Sequence, residues 1–258
     1  MTDKILIERH GPVTTLRLND PETMNAITAD MANGLHDAIK SEVAEGARAL
    51  ILAGSERAFS TGANLKAAIP GDLGSFDAGE TLERDYNPLM LTIRDLEVPL
   101  ISAVRGAAAG VGASLALACD LIVAGRDAYF LEAFARIGLV PDGGATWLLT
   151  RAVGRVRAME MMLLAEKIDA TKAHEWGLVT RLADKDAEAE ALELASRLAQ
   201  GPTRAYGLIR RAAWAAADQD FEATLVTERL LQKQAGNGPD FAEGLDAFLR
   251  KRSPNFHK

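Results

Sequence analysis

Apolar and polar residues alternate over the first eighteen positions, and the period of the pattern then changes several times. Two short strands are predicted on either side of the turn at Gly11 and Pro12. From Thr28 to Glu42 the apolar residues recur at helical spacing, with Thr28 as the expected N-cap. Apolar runs typical of strands buried on both faces follow at 49–53, 99–104 and 121–124. Because helical patterns lie between these runs, we predict crossover connections and a largely parallel sheet.

The pattern becomes helical after about residue 155. Helical periodicity, with breaks at glycine and proline residues, covers 156–165, 186–200, 202–217, 220–235 and 239–251. We therefore expect an α/β core over residues 1–200, which carries the site, and a helical region over residues 201–258. The apolar faces of that region would pack on the core or on a second copy of the chain, which predicts an oligomer.

Composition and charge exclude several classes of protein. The 258 residues are 48% hydrophobic, and 29 basic against 36 acidic side chains give a net charge of −7. That balance argues against a nucleic-acid binder, which needs a basic surface. A single cysteine, Cys119, allows no intramolecular disulfide. The chain shows neither a signal-peptide pattern nor an apolar stretch long enough for a bilayer, so we expect a cytoplasmic protein that contacts no membrane.

Familiar chemical motifs are incomplete in this sequence. No Gly-x-x-x-x-Gly-Lys phosphate loop is present, and Gly110-Val111-Gly112 lacks the third glycine of a dinucleotide fingerprint. The four histidines have no spacing typical of a metal site. A hydrolase triad based on Ser114 has little support, because the closing glycine of a nucleophile elbow is absent. We expect neither a metal nor a separate cofactor.

Two glycine-containing turns, at 58–66 and 104–115, follow the predicted strands at 49–53 and 99–104. Ligands gather beyond the carboxyl ends of parallel strands, and the second turn runs into a helix, whose first N–H groups are free. Two convergent N–H donors form an oxyanion hole, which stabilises negative charge on a carbonyl oxygen. The alternative is that the glycines serve only tight helix–strand packing. The pair of turns favours a ligand site.

The same segments resemble the enoyl-CoA hydratase/isomerase (crotonase) superfamily. The similar motifs are Phe59-Ser-Thr-Gly-Ala-Asn-Leu-Lys66, Gly106-Ala-Ala-Ala-Gly-Val-Gly-Ala113 and Ile137-Gly-Leu-Val-Pro-Asp142, and the resemblance covers nearly the whole chain. It implies a spiral core of ββα units, a helical trimerisation region, and trimers or paired trimers. It also implies a CoA-thioester substrate in fatty acid metabolism and an oxyanion hole formed by the N–H groups of Ala63 and Val111.

The resemblance implies further contacts with the substrate. CoA is part of the substrate, and Lys66 and Lys251 would bind its phosphates, Lys251 by reaching a neighbouring subunit. The remaining expected substrate contacts are Met24, Ala26, Ser60, Gly62, Asn64, Leu65, Gly110, Phe134 and Trp147. The position of Asp20, which is basic in many relatives, gives no such phosphate contact here.

The two glutamates with which hydratases of this family add water are absent. Ser114 and Phe134 stand at their positions. Asp142 offers a substitute, because other branches of the family use an aspartate there; the residues alone make a helix cap an equal alternative. An apolar wall from Phe134, Ile137, Leu139 and Trp147 would raise the pKa of Asp142.

Other carboxylates near these motifs have less support. Glu132 is expected to be a surface residue that could assist catalysis. Four more, in a Gly-rich stretch expected over the site, are interpreted as solvated, although they could supply a second acid: Asp72, Asp77, Glu80 and Glu83.

Three functions remain open on these residues. The leading hypothesis is an enoyl-CoA isomerase, in which Asp142 removes a proton and returns it at another carbon. The first alternative is an enoyl-CoA hydratase, a lyase that adds water to a 2-enoyl-CoA with the help of Asp142 and loop carboxylates. The second alternative is a non-catalytic acyl-CoA binder.

Overall fold

A computed structural model describes residues 4–257 of the chain, apart from residue 56 and residues 69–76. The described part contains a six-stranded sheet in the order β1-β2-β3-β5-β7-β10. Its strands are β1 Ile5–His10, β2 Val13–Leu18, β3 Ala49–Ala53, β5 Leu100–Val104, β7 Leu121–Gly125 and β10 Arg181–Ala183. All neighbours pair in parallel except β1 with β2, which confirms the predicted sheet.

The alternation of side chains in the large sheet separates two apolar cores. Ala49, Ile51 and Ala53 of β3 pack on one face with Ile101, against helix α9 (Ala187–Ala199). The intervening residues of β3 join the larger core on the other face. A strand buried on both faces has no polar position, which is why these segments read as continuous apolar runs.

A second sheet carries the site, and its strands are much shorter. It contains β4 Ala58–Ser60, β6 Ala107–Ala109, β8 Tyr129–Leu131 and β9 Ile168–Asp169, in the order β4-β6-β8-β9. β4, β6 and β8 are mutually parallel, and β9 is antiparallel to β8. The sequence pattern predicts that residues 58–60 and 107–109 belong to turns. That prediction is wrong, because both segments are strands of the second sheet. Each glycine turn therefore follows a strand of the second sheet rather than a strand of the large one.

The long helices were predicted within a few residues of their observed ends. Helix α1 follows an N-cap Thr28 whose Oγ1 accepts a hydrogen bond from the Met31 N–H at 3.2 Å. Besides α9, the helices of the described residues are α1 Ala29–Ala44, α2 Leu65–Ala68, α3 Ala78–Thr81, α4 Asn87–Arg94, α5 Val111–Leu117, α6 Ala145–Ala152, α7 Gly154–Leu164, α8 Ala170–Glu175, α10 Thr203–Ala216, α11 Phe221–Gly236 and α12 Pro239–Leu249. A π-helical turn covers Leu82–Tyr86, and 3-10 turns cover Pro21–Thr23 and Ala133–Ile137.

Helix α10 is fixed to the α/β part by one buried arginine. Arg210 is 6% exposed, and its Nε donates to both carboxylate oxygens of Asp120 at 2.8 and 2.7 Å. Its other nitrogens donate to the carbonyl oxygens of Ile93 and Leu96. The division of the chain at residue 200 stays a prediction. None of the helices in the described ranges is long and apolar enough to cross a membrane.

Candidate active site

Three parallel strands of the second sheet end at the same edge and bring together groups that are distant in sequence. Beyond its carboxyl end, β4 leads to Ala63, β6 leads to Val111, and β8 leads directly to Glu132. The sheet therefore presents two main-chain segments and one carboxyl group side by side, in the place where parallel sheets bind ligands.

The two glycine turns contact each other through their main chains. Gly62 has a φ of 96°, and a Cβ built there would lie 2.9 Å from the carbonyl oxygen of Ala109, so a side chain does not fit. A Cβ on Gly110 would lie 3.7 Å from the Cα of Gly62. The turns predicted to form one site are thus adjacent in space.

The N–H groups of Ala63 and Val111 are not used by the fold. Ile27 forms a bridge with Ala63, but its hydrogen bonds involve the residues on either side of Ala63. The Ile27 N–H donates to the Gly62 carbonyl oxygen at 2.7 Å, and the Asn64 N–H donates to the Ile27 carbonyl oxygen at 2.8 Å. Val111 is the first residue of α5, where N–H groups have no partner inside the helix. Among the described residues, neither N–H donates to a protein acceptor. Both are therefore available for an oxyanion, as predicted for an oxyanion hole.

Ser60 and Asn64 hold the first turn in place. The Oγ of the buried Ser60 donates to the carbonyl oxygen of Asn25 at 2.8 Å and accepts from the Gly62 N–H at 3.2 Å. The Oδ1 of Asn64 accepts from the Ala67 N–H at 3.2 Å at the start of α2. These hydrogen bonds give both side chains a structural role, and their predicted contact with the substrate stays a prediction.

The other expected contacts around the first turn lie on its two flanks. Met24 and Ala26 belong to an earlier chain segment that lies beside the turn. Met24 has a φ of 55°, and its carbonyl oxygen accepts a hydrogen bond from the Thr61 N–H at 3.2 Å. Leu65 and Lys66 follow it in α2, and both are exposed. The structure therefore gathers these residues at the rim of the turn.

Asp142 lies above the second turn and caps no helix. Helix α6 begins at Ala145 with Gly144 in the N-cap position and no side-chain hydrogen bond there, so the cap alternative is wrong. The Oδ1 of Asp142 is buried and has no hydrogen-bond partner among the described residues. Burial raises the pKa of Asp142 from 3.8 to about 6, because the charged carboxylate loses hydration.

Ser114 holds the chain segment that carries Asp142. This fully buried serine occupies the position of one missing glutamate, and its Oγ donates to the Asp142 carbonyl oxygen at 2.9 Å. A Cβ on Gly143 would lie 2.8 Å from the Cβ of Ser114 and 3.2 Å from a methyl carbon of Val111. The sequence analysis did not assign this role to Ser114. A hydroxyl near a main-chain turn was the only available signal.

Phe134 closes the second turn on the side of the other missing glutamate. Its side chain is 8% exposed, and its ring Cζ lies 3.6 Å from the place where a Cβ of Gly110 would stand. Ile137 and Leu139 do not complete the expected apolar wall in this chain, because they are 56% and 41% exposed. Phe134 is therefore the predicted apolar neighbour that the fold buries beside the turn.

Glu132 is a buried residue, and the expectation of a surface carboxylate was wrong. Its exposed fraction is 0%, and both carboxyl oxygens lack a hydrogen-bond partner among the described residues. Burial, followed by the negative charge of Asp142, raises the pKa of Glu132 to about 8. Burial and the charge of Asp142 also raise the pKa of Tyr86 to about 12, and its hydroxyl donates to the Ile27 carbonyl oxygen at 3.1 Å. Asp142, Glu132 and Tyr86 are therefore electrostatic neighbours.

Trp147 contacts residues of the C-terminal helical region, and Lys251 belongs to that region. The Trp147 indole stacks on Trp214 of α10 with ring centroids 4.8 Å apart, and its N–H donates to Asp218 at 3.0 Å. Trp147 also lines a cleft of about 1530 Å³ that reaches α4, α10 and α12. Lys251 follows α12 and is exposed. Gly143 and Gly144, which follow Asp142, line the same cleft as Trp147. The predicted substrate contacts of Trp147 and Lys251 stay predictions.

The loop carboxylates that the structure describes are exposed and lie outside the buried cluster. Asp72 lies outside the described residues. Asp77 is exposed, and its Oδ1 caps α3 by accepting from the N–H groups of Gly79 and Glu80 at 2.8 and 3.3 Å. Glu80 and Glu83 are exposed, which agrees with their expected solvation. Within the described ranges, no group of three or more His, Cys, Asp or Glu residues could hold a metal ion.

Comparisons with known proteins agree with this geometry. Residues 8–258 match the family described as enoyl-CoA hydratase/isomerase. The chain is 41% identical over 259 residues to the 1,2-epoxyphenylacetyl-CoA isomerase of Escherichia coli strain K12, with 99% of each chain covered. It is 42% identical over 245 residues to a probable enoyl-CoA hydratase of Rhodobacter capsulatus, covering 95% of this chain and 94% of that one.

A solved structure shows the same fold. The putative enoyl-CoA hydratase of Streptomyces coelicolor superposes with a TM-score of 0.91 at 33% identity, covering 98% of this chain and 94% of that one. The expected crotonase-like α/β fold with C-terminal helices is thereby confirmed, and its division into two sheets is a finding of the structure. The chain belongs to the enoyl-CoA hydratase/isomerase family and has the crotonase fold.

Proposed function

We propose that this acyl-CoA enzyme shifts a carbon–carbon double bond, with Asp142 as the residue that moves the proton. The observation that carries the proposal is the buried Asp142 carboxylate, with Oδ1 lacking a partner, in a site where Ser114 and Phe134 replace the two hydratase glutamates. A pKa near 6 leaves this carboxylate largely ionised at neutral pH and makes it a stronger base than an exposed aspartate.

The reaction needs one base and one oxyanion hole. The Asp142 carboxylate takes a proton from C2 of a 3-enoyl-CoA, and the electron pair of that C–H bond moves toward the thioester. The resulting dienolate oxygen accepts hydrogen bonds from the N–H groups of Ala63 and Val111, each of which can contribute about 3 kcal/mol. The protonated Asp142 then returns its proton to C4, which gives the 2-enoyl-CoA and restores the carboxylate.

The rest of the substrate is proposed to be held as the family pattern implies. Lys66 and Lys251 would bind the CoA phosphates, with Lys251 contributed by a neighbouring subunit. The glycine turns and Phe134 would surround the thioester and the first carbons of the acyl group. The name of the Escherichia coli relative, an isomerase at 41% identity, supports this choice.

Hydration of a 2-enoyl-CoA is the second candidate. It is favoured by Glu132, which supplies a second buried carboxyl group near Asp142, as a reaction that activates water requires. The name of the Rhodobacter capsulatus relative, a probable hydratase, points in the same direction.

The decisive variant is Asp142→Asn, tested with 3-enoyl-CoA and with crotonyl-CoA in heavy water and followed by mass spectrometry. We expect the conversion of 3-enoyl-CoA to fall by a factor of about 10² to 10⁴, because the amide cannot take the proton. Asp37→Asn, which removes an exposed carboxylate on α1, is the matched control and should keep the parent rate.

Each other outcome has a defined meaning. A parent rate in Asp142→Asn would contradict the proposal. Formation of 3-hydroxy product from crotonyl-CoA would instead support the hydratase. Saturable binding of several acyl-CoA thioesters, with neither product nor deuterium next to the thioester, would support the non-catalytic binder.

A further inference from the structure

Glu132 is a buried carboxyl group that the double-bond shift does not use. No part of its side chain reaches solvent, and neither carboxyl oxygen has a hydrogen-bond partner among the described residues. A buried polar group without a partner costs about 1–3 kcal/mol, so such groups are nearly always paired in the functional state of a protein. Glu132 therefore requires an explanation beyond packing.

The fold places Glu132 next to the reacting part of the site. It directly follows β8, and the carbonyl oxygen of its neighbour Leu131 accepts from the Gly110 N–H at 2.9 Å. The next residue after Gly110 is Val111, whose N–H is one of the two free donors. The charge of Asp142 acts on Glu132, and the two carboxyl groups nevertheless share no hydrogen bond. Glu132 thus directly follows the strand beside the Gly110–Val111 segment, and none of the described residues uses its hydrogen-bonding capacity.

The chemistry of a buried, uncharged carboxylic acid limits what can bind there. It offers one O–H donor, and the ionised Asp142 beside it disfavours a second negative charge. A hydrocarbon acyl group supplies no acceptor and would leave that donor unpaired. An acyl group that carries an oxygen would pair it. Sites built to hydrogen-bond a polar group discriminate strongly against analogues that lack the group.

We propose that Glu132 is a specificity-determining residue, which donates a hydrogen bond to an acceptor oxygen on the acyl group and so selects oxygen-bearing acyl-CoA thioesters over hydrocarbon ones. This proposal rests on the proposed function, since it takes the acyl group beside Asp142 as the ligand.

The test uses pairs of CoA thioesters that differ only in one ether oxygen. Methoxyacetyl-CoA is isosteric with butanoyl-CoA and has oxygen in place of C3; 3-methoxypropanoyl-CoA is isosteric with pentanoyl-CoA and has oxygen in place of C4. An ether oxygen accepts and cannot donate, so a preference for it requires a donor in the site. The dissociation constants are measured by titration calorimetry at neutral pH, and binding requires no turnover.

We expect the wild-type protein to bind at least one ether thioester about tenfold more tightly than its hydrocarbon isostere. Glu132→Leu should bring that ratio to about one, while Glu132→Gln, whose amide N–H can donate, should keep most of the preference. Glu175→Leu, which removes an exposed glutamate on α8, is the matched control and should leave the ratio unchanged.

Equal affinities in both pairs for the wild-type protein, or an unchanged preference in Glu132→Leu, would overturn the proposal. The wild-type comparison stands even if a variant fails to fold. Conversion of 3-enoyl-CoA to 2-enoyl-CoA tests the proposed function separately, because it depends on Asp142 and the two N–H donors. Conversion without an ether preference overturns only the role of Glu132, and an ether preference without conversion overturns only the isomerase proposal.

Discussion

At the scale of single residues, the site contains two neighbouring carboxyl groups in different protonation states. Burial raises the pKa of Asp142 to about 6 and, with the charge of Asp142, that of Glu132 to about 8. Near neutral pH the aspartate is therefore mostly ionised, whereas the glutamate keeps its proton. Environments that separate two pKa values in this way let one carboxyl group act as a base and the other as a donor.

The raised pKa of Glu132 predicts a pH dependence of stability. The unfolded chain releases this proton near pH 4.5, and the folded chain keeps it to about pH 8, so the free energy of unfolding should fall as pH rises between these values. Each unit of the shift corresponds to about 1.4 kcal/mol. The amide of Glu132→Gln cannot titrate. The free energy of unfolding of this variant minus that of the wild type should therefore rise by roughly 3–5 kcal/mol as the pH increases across this window.

Denaturant unfolding curves for both proteins, recorded from pH 4 to pH 8.5, would measure this difference. Asp142 titrates in both proteins, so its contribution largely cancels. Glu175→Gln serves as the control for loss of an exposed glutamate and should run parallel to wild type. A constant offset between wild type and Glu132→Gln would contradict the prediction.

The sequence was informative about Asp142 and misleading about Glu132, for a physical reason. Asp142 stands in a motif of special residues, Pro-Asp-Gly-Gly, and its position carries meaning by itself. Glu132 has no such context, and glutamate is rarely buried without a partner, so composition favours the surface. Glu132 directly follows β8, which pairs with β6 and β9, so its surroundings are built by segments distant in sequence.

At the scale of elements, periodicity predicted the long segments and missed the short ones. Helix α1 is long enough to show a period, and the strands of the large sheet other than β10 have five or six residues, enough to show alternation or a continuous apolar run. β4, β6 and β8 have three residues each, which cannot display alternation, and they consist mainly of small or aromatic residues. The sheet that forms the site was therefore the part of the fold that the pattern could not indicate.

The contact between α10 and the α/β part depends on a buried charge. Removing the guanidinium in Arg210→Ala would take the cation from Asp120, which keeps its hydrogen bond from the Leu100 N–H, and would remove the side-chain donors to the Ile93 and Leu96 carbonyl oxygens. Breaking a buried ion pair costs about 3–5 kcal/mol, and the 24% exposure of the Asp120 side chain lowers this cost to about 2–3 kcal/mol. We expect a loss of that size in the free energy of unfolding, together with faster amide hydrogen exchange in α10. Arg204→Ala, at an exposed position of the same helix, is the control. Equal unfolding midpoints for the two variants would show that Arg210 does not anchor the helix.

At the scale of the whole molecule, α11 and α12 leave large apolar side chains uncovered in one chain. These are Phe221, Leu225, Val226, Leu230, Phe241, Leu245, Phe248 and Leu249, and Phe248 is 79% exposed. Apolar patches of this kind mark surfaces that associate. Together with the family resemblance, they favour the predicted trimer or pair of trimers.

Phe248→Asp should weaken this assembly by placing a charge in the apolar surface. We expect a smaller sedimentation coefficient for the variant than for the parent at micromolar concentration, measured by analytical ultracentrifugation. Val156→Asp, on the 74% exposed side chain of α7, is the comparison variant. A parent protein that sediments as a monomer would contradict the predicted oligomer.

The contact between Ser114 and the Asp142 segment couples position 114 to the place of the base. A Cβ on Gly143 would lie 2.8 Å from the Cβ of Ser114, and the Ser114 Oγ donates to the Asp142 carbonyl oxygen at 2.9 Å, so serine and glycine fit against each other here. A longer side chain at position 114 would lose that hydrogen bond, and a larger residue at position 143 would push the segment away from helix α5. Changes at either position should therefore move the Asp142 carboxylate, although neither residue is itself a base.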